Sequence, residues 1–402
     1  MKPFSIARLP KIVFGAGTSA ELPGIVRGLG ERALVVTRPG FGDTPEWRRI
    51  AGGFAAAGVL VVTETVSGEP SPGLVDEIVV RARGAGAARP DVVVGIGGGS
   101  VLDTAKAVAG LIVPGNSVAD HLEGVGPGLP YRGPALPFVA VPTTAGTGSE
   151  ATKNAVISRR GPNGYKKSFR DERLVAQVAV VDPDLLASAP QELIAANGMD
   201  ALTQLLESYT SSKANEFTDA LALSGLAAVR DGLLAWFDDP SGSGAAAARE
   251  RMAYAALLSG ICLAQAGLGA VHGLASPLGA QFPIPHGAAC GAVLAAATRV
   301  NVEAMQAREP DNPALARYAL VGRLLAESPE AALEPSDEEA RATLVERLDA
   351  WRGHLDVPGL SAFGIGDEAI PALLADARGS SMKTNPIVLS DAEIVEILRA
   401  SR

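Results

Sequence analysis

Between residues 95 and 100 the chain reads GIGGGS, directly after the apolar run DVVV and directly before the helical pattern VLDTAK. Glycines at such a turn let the backbone come close to a pyrophosphate. The helix that follows aims unpaired N–H groups and the positive end of its dipole at an anion. Gly97, Gly98, Gly99 and Ser100 are therefore candidate phosphate contacts, with Ser100 adding a hydroxyl donor. Asp103 and Lys106 follow one turn apart on the same helix. The stretch departs from the G-x-G-x-x-G fingerprint, because Ser100 stands at the last glycine position and the motif lies deep in the chain. A tight strand-to-helix turn without a ligand is the competing reading. A second loop, VPTTAGTGSE at 141–150, offers hydroxyls from Thr143, Thr144, Thr147 and Ser149. Taken alone, it suits a ligand or a set of local Ser/Thr turns equally well.

A second group of residues has the types that bind metals. Asp200 and Gln204 stand four apart in GMDALTQLLESY and so share one helix face. His272 and His286, two of only four histidines, lie fourteen residues apart. Each is followed by glycine, and they bracket an apolar, Pro-containing segment. Taken singly, each also reads as a packed or capping residue. His121 and His354 fall outside these motifs and read as surface or packing residues. Cys262 and Cys290 are too few for a disulfide framework and read as core thiols.

The elements that must position these groups follow from periodicity. Residues 33–37, 59–64, 91–96, 138–141 and 178–182 are short apolar runs with β-branched residues. Their unbroken apolar character predicts strands buried on both faces, hence a largely parallel sheet with helical crossovers. After Asp182 the texture turns to Ala, Leu and Glu with helical spacing, over 200–209, 218–237, 246–263 and 313–325. Residues 238–245 read as a loop between helices, and Ser390 with Glu393 has capping-box spacing before a final helix. The prediction is an α/β domain over residues 1–185 and an all-helical domain over 186–402.

Bulk properties bound the function. With 47% hydrophobic and 20% charged residues, burial suffices for a globular chain, and a net charge of −9 argues against a nucleic-acid or anionic-membrane surface. The N-terminus lacks the apolar run of a signal peptide, and no uninterrupted apolar stretch of ~18 residues offers a membrane span. A reduced, cytoplasmic setting is the simplest expectation.

Taken together, GGGSVLDTAK, PTTAGTGSE and GMDAL at 198–202 resemble the iron-containing (group III) alcohol dehydrogenases, from about Ile12 to Asn385. The resemblance implies an α/β nucleotide-binding domain followed by a helical domain, the dehydroquinate synthase-like architecture, in a homodimer. It implies NAD or NADP as cofactor. Gly97 to Ser100 and Asp103 would lie at the pyrophosphate and nicotinamide side, Thr143, Thr144 and Thr147 along the cofactor, Val156 and Lys166 at further contacts, and Leu185 at the adenine side. NAD-preferring relatives often carry Asp where this chain has Arg38, after the strand at 33–37; reversing that charge favours NADPH. The family pattern of Asp and three His around a divalent metal, Fe²⁺ or Zn²⁺, maps onto Asp200, Gln204, His272 and His286. Gln204 departs from it, an amide being a poorer ligand than imidazole. Ser276 stands where many relatives have a further His near the substrate.

The implied reaction is hydride transfer between the nicotinamide and a small alcohol, aldehyde or ketone, with Ser276 or the cofactor ribose relaying the proton and His272 and His286 at the reacting centre. Asn154 and Lys153 match substrate-side positions, as do Ser381 and Lys383; two lysines would favour an acidic or phosphorylated aldehyde. Two relatives of the same fold compete: a metal-free reductase of keto acids resembling maleylacetate reductases, and a zinc-using glycerol dehydrogenase or sugar-phosphate cyclase. An inactive nucleotide-binding scaffold is the reading from another class.

Overall fold

The computed structural model describes residues 3–161, 164–326 and 335–402. It divides into two compact units, one made of Ala7–Arg159 with Gly164–Ser188 and one built on Ala189–Arg402.

The first unit alternates strands and helices: β1 (Lys11–Phe14), α1 (Leu22–Arg27), β2 (Arg32–Thr37), α2 (Pro45–Ala56), β3 (Leu60–Thr65), α3 (Pro72–Gly84), β4 (Val92–Gly97), α4 (Gly99–Leu111), β5 (Phe138–Pro142), β6 (Asn154–Arg159), β7 (Tyr165–Arg170) and β8 (Val178–Val181). Six strands form one sheet in the order β1-β8-β5-β4-β2-β3, with every pairing parallel. Alternation along each strand feeds two cores. Leu34, Val36, Val93, Phe138 and Ala140 pack with α3 and α4. Ala33, Val35, Val92, Val94, Val139 and Val180 pack with α1 and α2 on the other face. Parallel strands covered on both faces need apolar residues at every position, which is why these runs read as continuous.

β3 is the exception. Its VLVVTE pattern predicts a strand buried on both faces, but it lies at the sheet edge with Leu60 70% and Val62 53% exposed. Three strands escape the apolar reading altogether. β1 is only four residues long, and β6 and β7 are polar partners in an antiparallel hairpin.

The order of β2, β4 and β5 decides where a ligand can go. β3 lies on one side of β2, whereas the chain continues through β4 and β5 on the other. The connection reverses between β2 and β4, and a crevice at the carboxyl ends of such strands is where open α/β sheets bind ligands. Thr37 pairs in register with Ile96, and Gly97 with Pro142. Arg38, the glycine loop and the threonine loop are thereby brought to one end of three adjacent strands.

The second unit contains α5 (Gln191–Thr210), α6 (Glu216–Asp238), α7 (Ala245–Ala266), α8 (Ala270–Gln281), α9 (His286–Arg308), α10 (Ala314–Leu324), α11 (Asp337–His354), α12 (Ile370–Asp376) and α13 (Asp391–Ala400). α5 is the axis: from Gly198 to Thr210 every residue is buried, with α6, α7 and α9 packed around it. The predicted capping box of Ser390 and Glu393 opens α13. α6 is long and apolar enough, by composition alone, to cross a membrane. Here Ala222, Leu226, Val229, Leu233 and Trp236 bury its face within the bundle.

Candidate active site

In the first unit, a candidate nucleotide site is set by close approach of two loops. β4 ends at Gly97, and α4 starts at Gly99 with Gly98 as an N-cap that offers no side-chain cap. The orphan N–H groups of the first turn are thus left for an outside acceptor. A Cβ on Gly98 would come 3.2 Å from Thr144, and one on Gly99 would come 2.7 Å from Thr147 Cγ2. The glycines are needed for the threonine loop to lie against the phosphate loop as well as for ligand approach.

Buried charge holds that arrangement. Lys106 is fully buried, and its ammonium donates to Ser149 O at 2.8 Å, Ser149 Oγ at 3.0 Å, Thr152 Oγ1 at 3.0 Å and Asn154 O at 2.7 Å. Asp103 accepts from Ser149 Oγ at 2.5 Å and from the Val156 N–H at 3.0 Å. Burial lowers the Lys106 pKa and raises that of Asp103, each opposed by the other's charge. Asp103, expected to touch the cofactor, has both carboxylate oxygens engaged in anchoring the threonine loop and β6. Val156 meets it through its backbone. Leu185 is packed in the core beneath the sheet. The Lys166 ammonium pairs with Glu69 at 2.8 Å. Arg38 is exposed after β2, 3.3 Å from Pro39 O and 5.7 Å from the Phe41 ring centre.

The helical unit brings together the other cluster. Asp200 and Gln204 project from one face of α5, His272 from the first turn of α8 and His286 from the first residue of α9. His272 Nε2 lies 3.2 Å from Asp200 Oδ1, and His286 Nε2 lies 3.8 Å from the same oxygen. Cys290, one turn into α9, places its sulfur 3.7 Å from His272 Nε2 and 3.9 Å from His286 Nε2. One donor atom from each of Asp200, His272, His286 and Cys290 fits within 4.8 Å of all the others. Cys290 reads from sequence as a core thiol, as Cys262 does. The signal that could have found it is its position four residues after His286 on one helix face. Cys262 instead reaches only the Thr218 carbonyl, at 3.6 Å.

Gln204 has both amide ends engaged. Its nitrogen donates to Asp200 Oδ1 at 3.2 Å, and its oxygen accepts from Ser259 Oγ at 2.8 Å.

Glu207, one turn further along α5, is the other residue missed in sequence. Its Oε2 lies 2.6 Å from His272 Nδ1, and its Oε1 accepts the Val271 N–H at 2.7 Å. A carboxylate only accepts, so it holds the proton on Nδ1 and turns Nε2 toward the cluster. It also satisfies an orphan donor of α8. Gly269 permits this approach, because a Cβ there would meet Glu207 Oε1 at 2.9 Å and Asn385 Oδ1 at 2.8 Å.

The electrostatics call for a cation. Asp200 and Glu207 are buried, and among the described residues their ion-pair partners are imidazoles alone. Burial works against a charged His272, yet Cys290, Asp200 and Glu207 hold its pKa well above the ordinary imidazole value. Burial would raise the Asp200 pKa, but His286, His272 and Gln204 hold it below the usual carboxylate range. Burial pushes the Cys290 thiol up to about 11. Tetrahedral coordination with bonds of about 2.0–2.3 Å separates ligand atoms by about 3.3–3.7 Å. The observed spacings of 3.2–3.9 Å lie within a few tenths of an ångström of that range.

Glu207→Gln is expected to weaken metal affinity by about 10–100-fold, because the amide no longer fixes the ring as a carboxylate does. Competition of the purified variant against a chelator measures this, and an unchanged affinity would remove Glu207 from the site.

Residues 10–183 match the family described as iron-containing alcohol dehydrogenase, and residues 194–402 match the Fe-containing alcohol dehydrogenase family, C-terminal. The chain belongs to the iron-containing alcohol dehydrogenase family. Its parallel sheet and helical part are the fold of that family, and it is an oxidoreductase of the alcohol dehydrogenase type. It is 30% identical to alcohol dehydrogenase 4 of Saccharomyces cerevisiae over 97% of this chain and 96% of that protein. A 1,3-propanediol oxidoreductase structure superposes with a TM-score of 0.89 at 27% identity, covering 100% of both chains. A sulfoacetaldehyde reductase from Bifidobacterium kashiwanohense, in complex with NAD⁺, superposes with a TM-score of 0.83 at 26% identity over 99% of this chain and 98% of that one.

Within this iron-containing alcohol dehydrogenase, the remaining expected positions fall in both units, and the short turn carrying Ser381 and Lys383 packs against α8, the helix of Ser276. Ser276 is half-buried on α8, one turn after His272. Lys153 pairs with Glu172 at 3.8 Å, and Asn154 opens β6. Ser381 and the exposed Lys383 lie on a short 3₁₀ turn. His121 stacks on Phe169, and His354 pairs with Asp238 at 2.6 Å.

Proposed function

We propose that this chain catalyses reversible hydride transfer between a nicotinamide nucleotide and a small alcohol–aldehyde pair, with a divalent metal held by Asp200, His272 and His286. The observation that carries the reading is the pair of buried carboxylates, Asp200 and Glu207, around His272, whose ion-pair partners among the described residues are imidazoles alone. When bound, the metal supplies Lewis acidity at the substrate oxygen. Glu207 holds the His272 ring in the tautomer and orientation that the site needs. Ser276 offers a hydroxyl one helical turn from His272, from which a proton can be passed to or taken from the substrate oxygen. The free first turn of α4 and Ser100 receive the pyrophosphate, and the threonine loop, fixed through Lys106 and Asp103, lines the nucleotide.

NADPH is the preferred cofactor in this proposal. Arg38 stands exposed at the carboxyl end of β2, beside the phosphate loop on β4, and a guanidinium there pairs with a ribose 2′-phosphate. NAD⁺ bound by the sulfoacetaldehyde reductase relative supports a nicotinamide nucleotide but not this choice.

The test is a panel of short aldehydes with NADPH and NADH, before and after chelation. Stoichiometric divalent metal is expected in the purified protein. Chelator should remove activity and added metal restore it, and Arg38→Asp should raise the KM for NADPH while sparing NADH. Full activity in the metal-free protein would overturn the metal-dependent reading.

A further inference from the structure

We infer that Cys290 is the fourth protein ligand of the metal in this chain, standing in for the family histidine that Gln204 replaces, so that the site is a sulfur-containing one preferring zinc to iron. The inference rests on the metal-holding reading above and adds to it. Its geometric ground is that the Cys290 sulfur lies 3.7 and 3.9 Å from the two imidazole nitrogens and within 4.8 Å of the Asp200 carboxylate. A zinc ion bonded to sulfur at about 2.3 Å and to nitrogen at about 2.0 Å separates those donors by about 3.5 Å. Cys290 is fully buried, so nothing in solvent competes for it. His286 and Cys290 then form a pair of ligands one turn apart on α9.

Gln204 is arranged as a positioning residue. Its amide nitrogen faces Asp200, and its oxygen faces Ser259. The amide N–H thereby orients the Asp200 carboxylate while the thiol takes the vacated ligand role. On metal uptake the Cys290 S–H bond breaks, the S–metal bond forms and the proton leaves to solvent. Thiolate, imidazole and carboxylate together suit zinc, whereas iron of this oxidation state is served better by imidazole and carboxylate alone. With these four residues holding it, zinc would supply Lewis acidity to a substrate oxygen as an added ligand, since catalytic zinc can expand its coordination.

Cobalt(II) titration of the metal-free enzyme tests this without an activity measurement. Wild type, Cys262→Ala and Gln204→Ala should each develop a near-ultraviolet thiolate-to-cobalt charge-transfer band. Cys290→Ser should lack that band, keep visible cobalt bands from the remaining ligands, and bind zinc at least ~100-fold more weakly. Iron affinity should change less than zinc affinity in that variant. Wild-type protein that binds cobalt without the near-ultraviolet band overturns Cys290 ligation and leaves the Asp200, His272 and His286 reading standing. Wild-type protein that binds no cobalt overturns both. Because Cys262→Ala leaves Cys290 as the only thiol, its spectrum decides the question even if the Cys290→Ser variant folds poorly.

Discussion

Replacing His272 by Ala is expected to leave a protein that binds NADPH but neither holds metal nor turns over. The imidazole offers Nε2 to the cluster and Nδ1 to Glu207, so its loss removes one ligand and frees the carboxylate that orients it. Lewis-acid stabilisation at a reacting oxygen is worth several kcal/mol, and each 1.4 kcal/mol is tenfold in rate, so kcat/KM should fall by about 10³–10⁴-fold. The metal-free variant also buries Asp200 and Glu207 without their partner, which should cost roughly 3–5 kcal/mol of stability unless one of them takes a proton. Nucleotide binding is the internal control, because the phosphate and threonine loops belong to the other unit. Metal analysis, steady-state kinetics and NADPH fluorescence on the same sample decide the matter. Stoichiometric metal, or kcat/KM within tenfold of wild type, would remove His272 from the reaction.

Gly99→Val should give the reverse pattern, with metal retained and the nucleotide lost. Its Cβ would fall 2.7 Å from Thr147 Cγ2 and 2.9 Å from Thr147 Oγ1, with two more methyls beyond it. The threonine loop has little freedom to yield, since Ser149 is tied to both Asp103 and Lys106. Overpacking of this kind costs about 1–3 kcal/mol, and any distortion falls on the N–H groups that receive the phosphate. An NADPH Kd raised by about 100-fold is the expected result, with zinc or cobalt binding unchanged. A Kd within about threefold of wild type would mean that the loops do not carry the nucleotide.

Local pattern made the sheet legible where both faces are buried. Strands β2, β4, β5 and β8 are apolar at nearly every position, and burial on both sides is the reason. The same rule misread β3, since an edge strand can carry the same apolar string with half of it facing water. It missed β6 and β7 because their few buried apolar residues, Ala155, Ile157 and Phe169, are interspersed with polar and charged ones in two short strands. At the site, the histidines and Asp200 stood out through rarity and family pattern, but pattern could not supply the partners that tertiary packing adds. Cys290 and Glu207 are ordinary residues of buried helices until α5, α8 and α9 are assembled. Asp103 shows the converse. Its position beside the phosphate loop suggests a ligand contact, whereas the fold engages one of its oxygens with the threonine loop and the other with β6. A single chain's sequence records which residues are present, not which of two nearby demands each one meets.

The fully buried ammonium of Lys106 has a kinetic consequence. A loop that must order around its ligand binds through a slow closing step, and its association rate reports the fraction of time spent closed. Here the threonine loop is anchored by a charge inside the protein. Encounter, rather than loop ordering, is then the expected limit on how fast a nucleotide binds. Any difference in affinity between oxidised and reduced nucleotides is then expected in how long each remains bound.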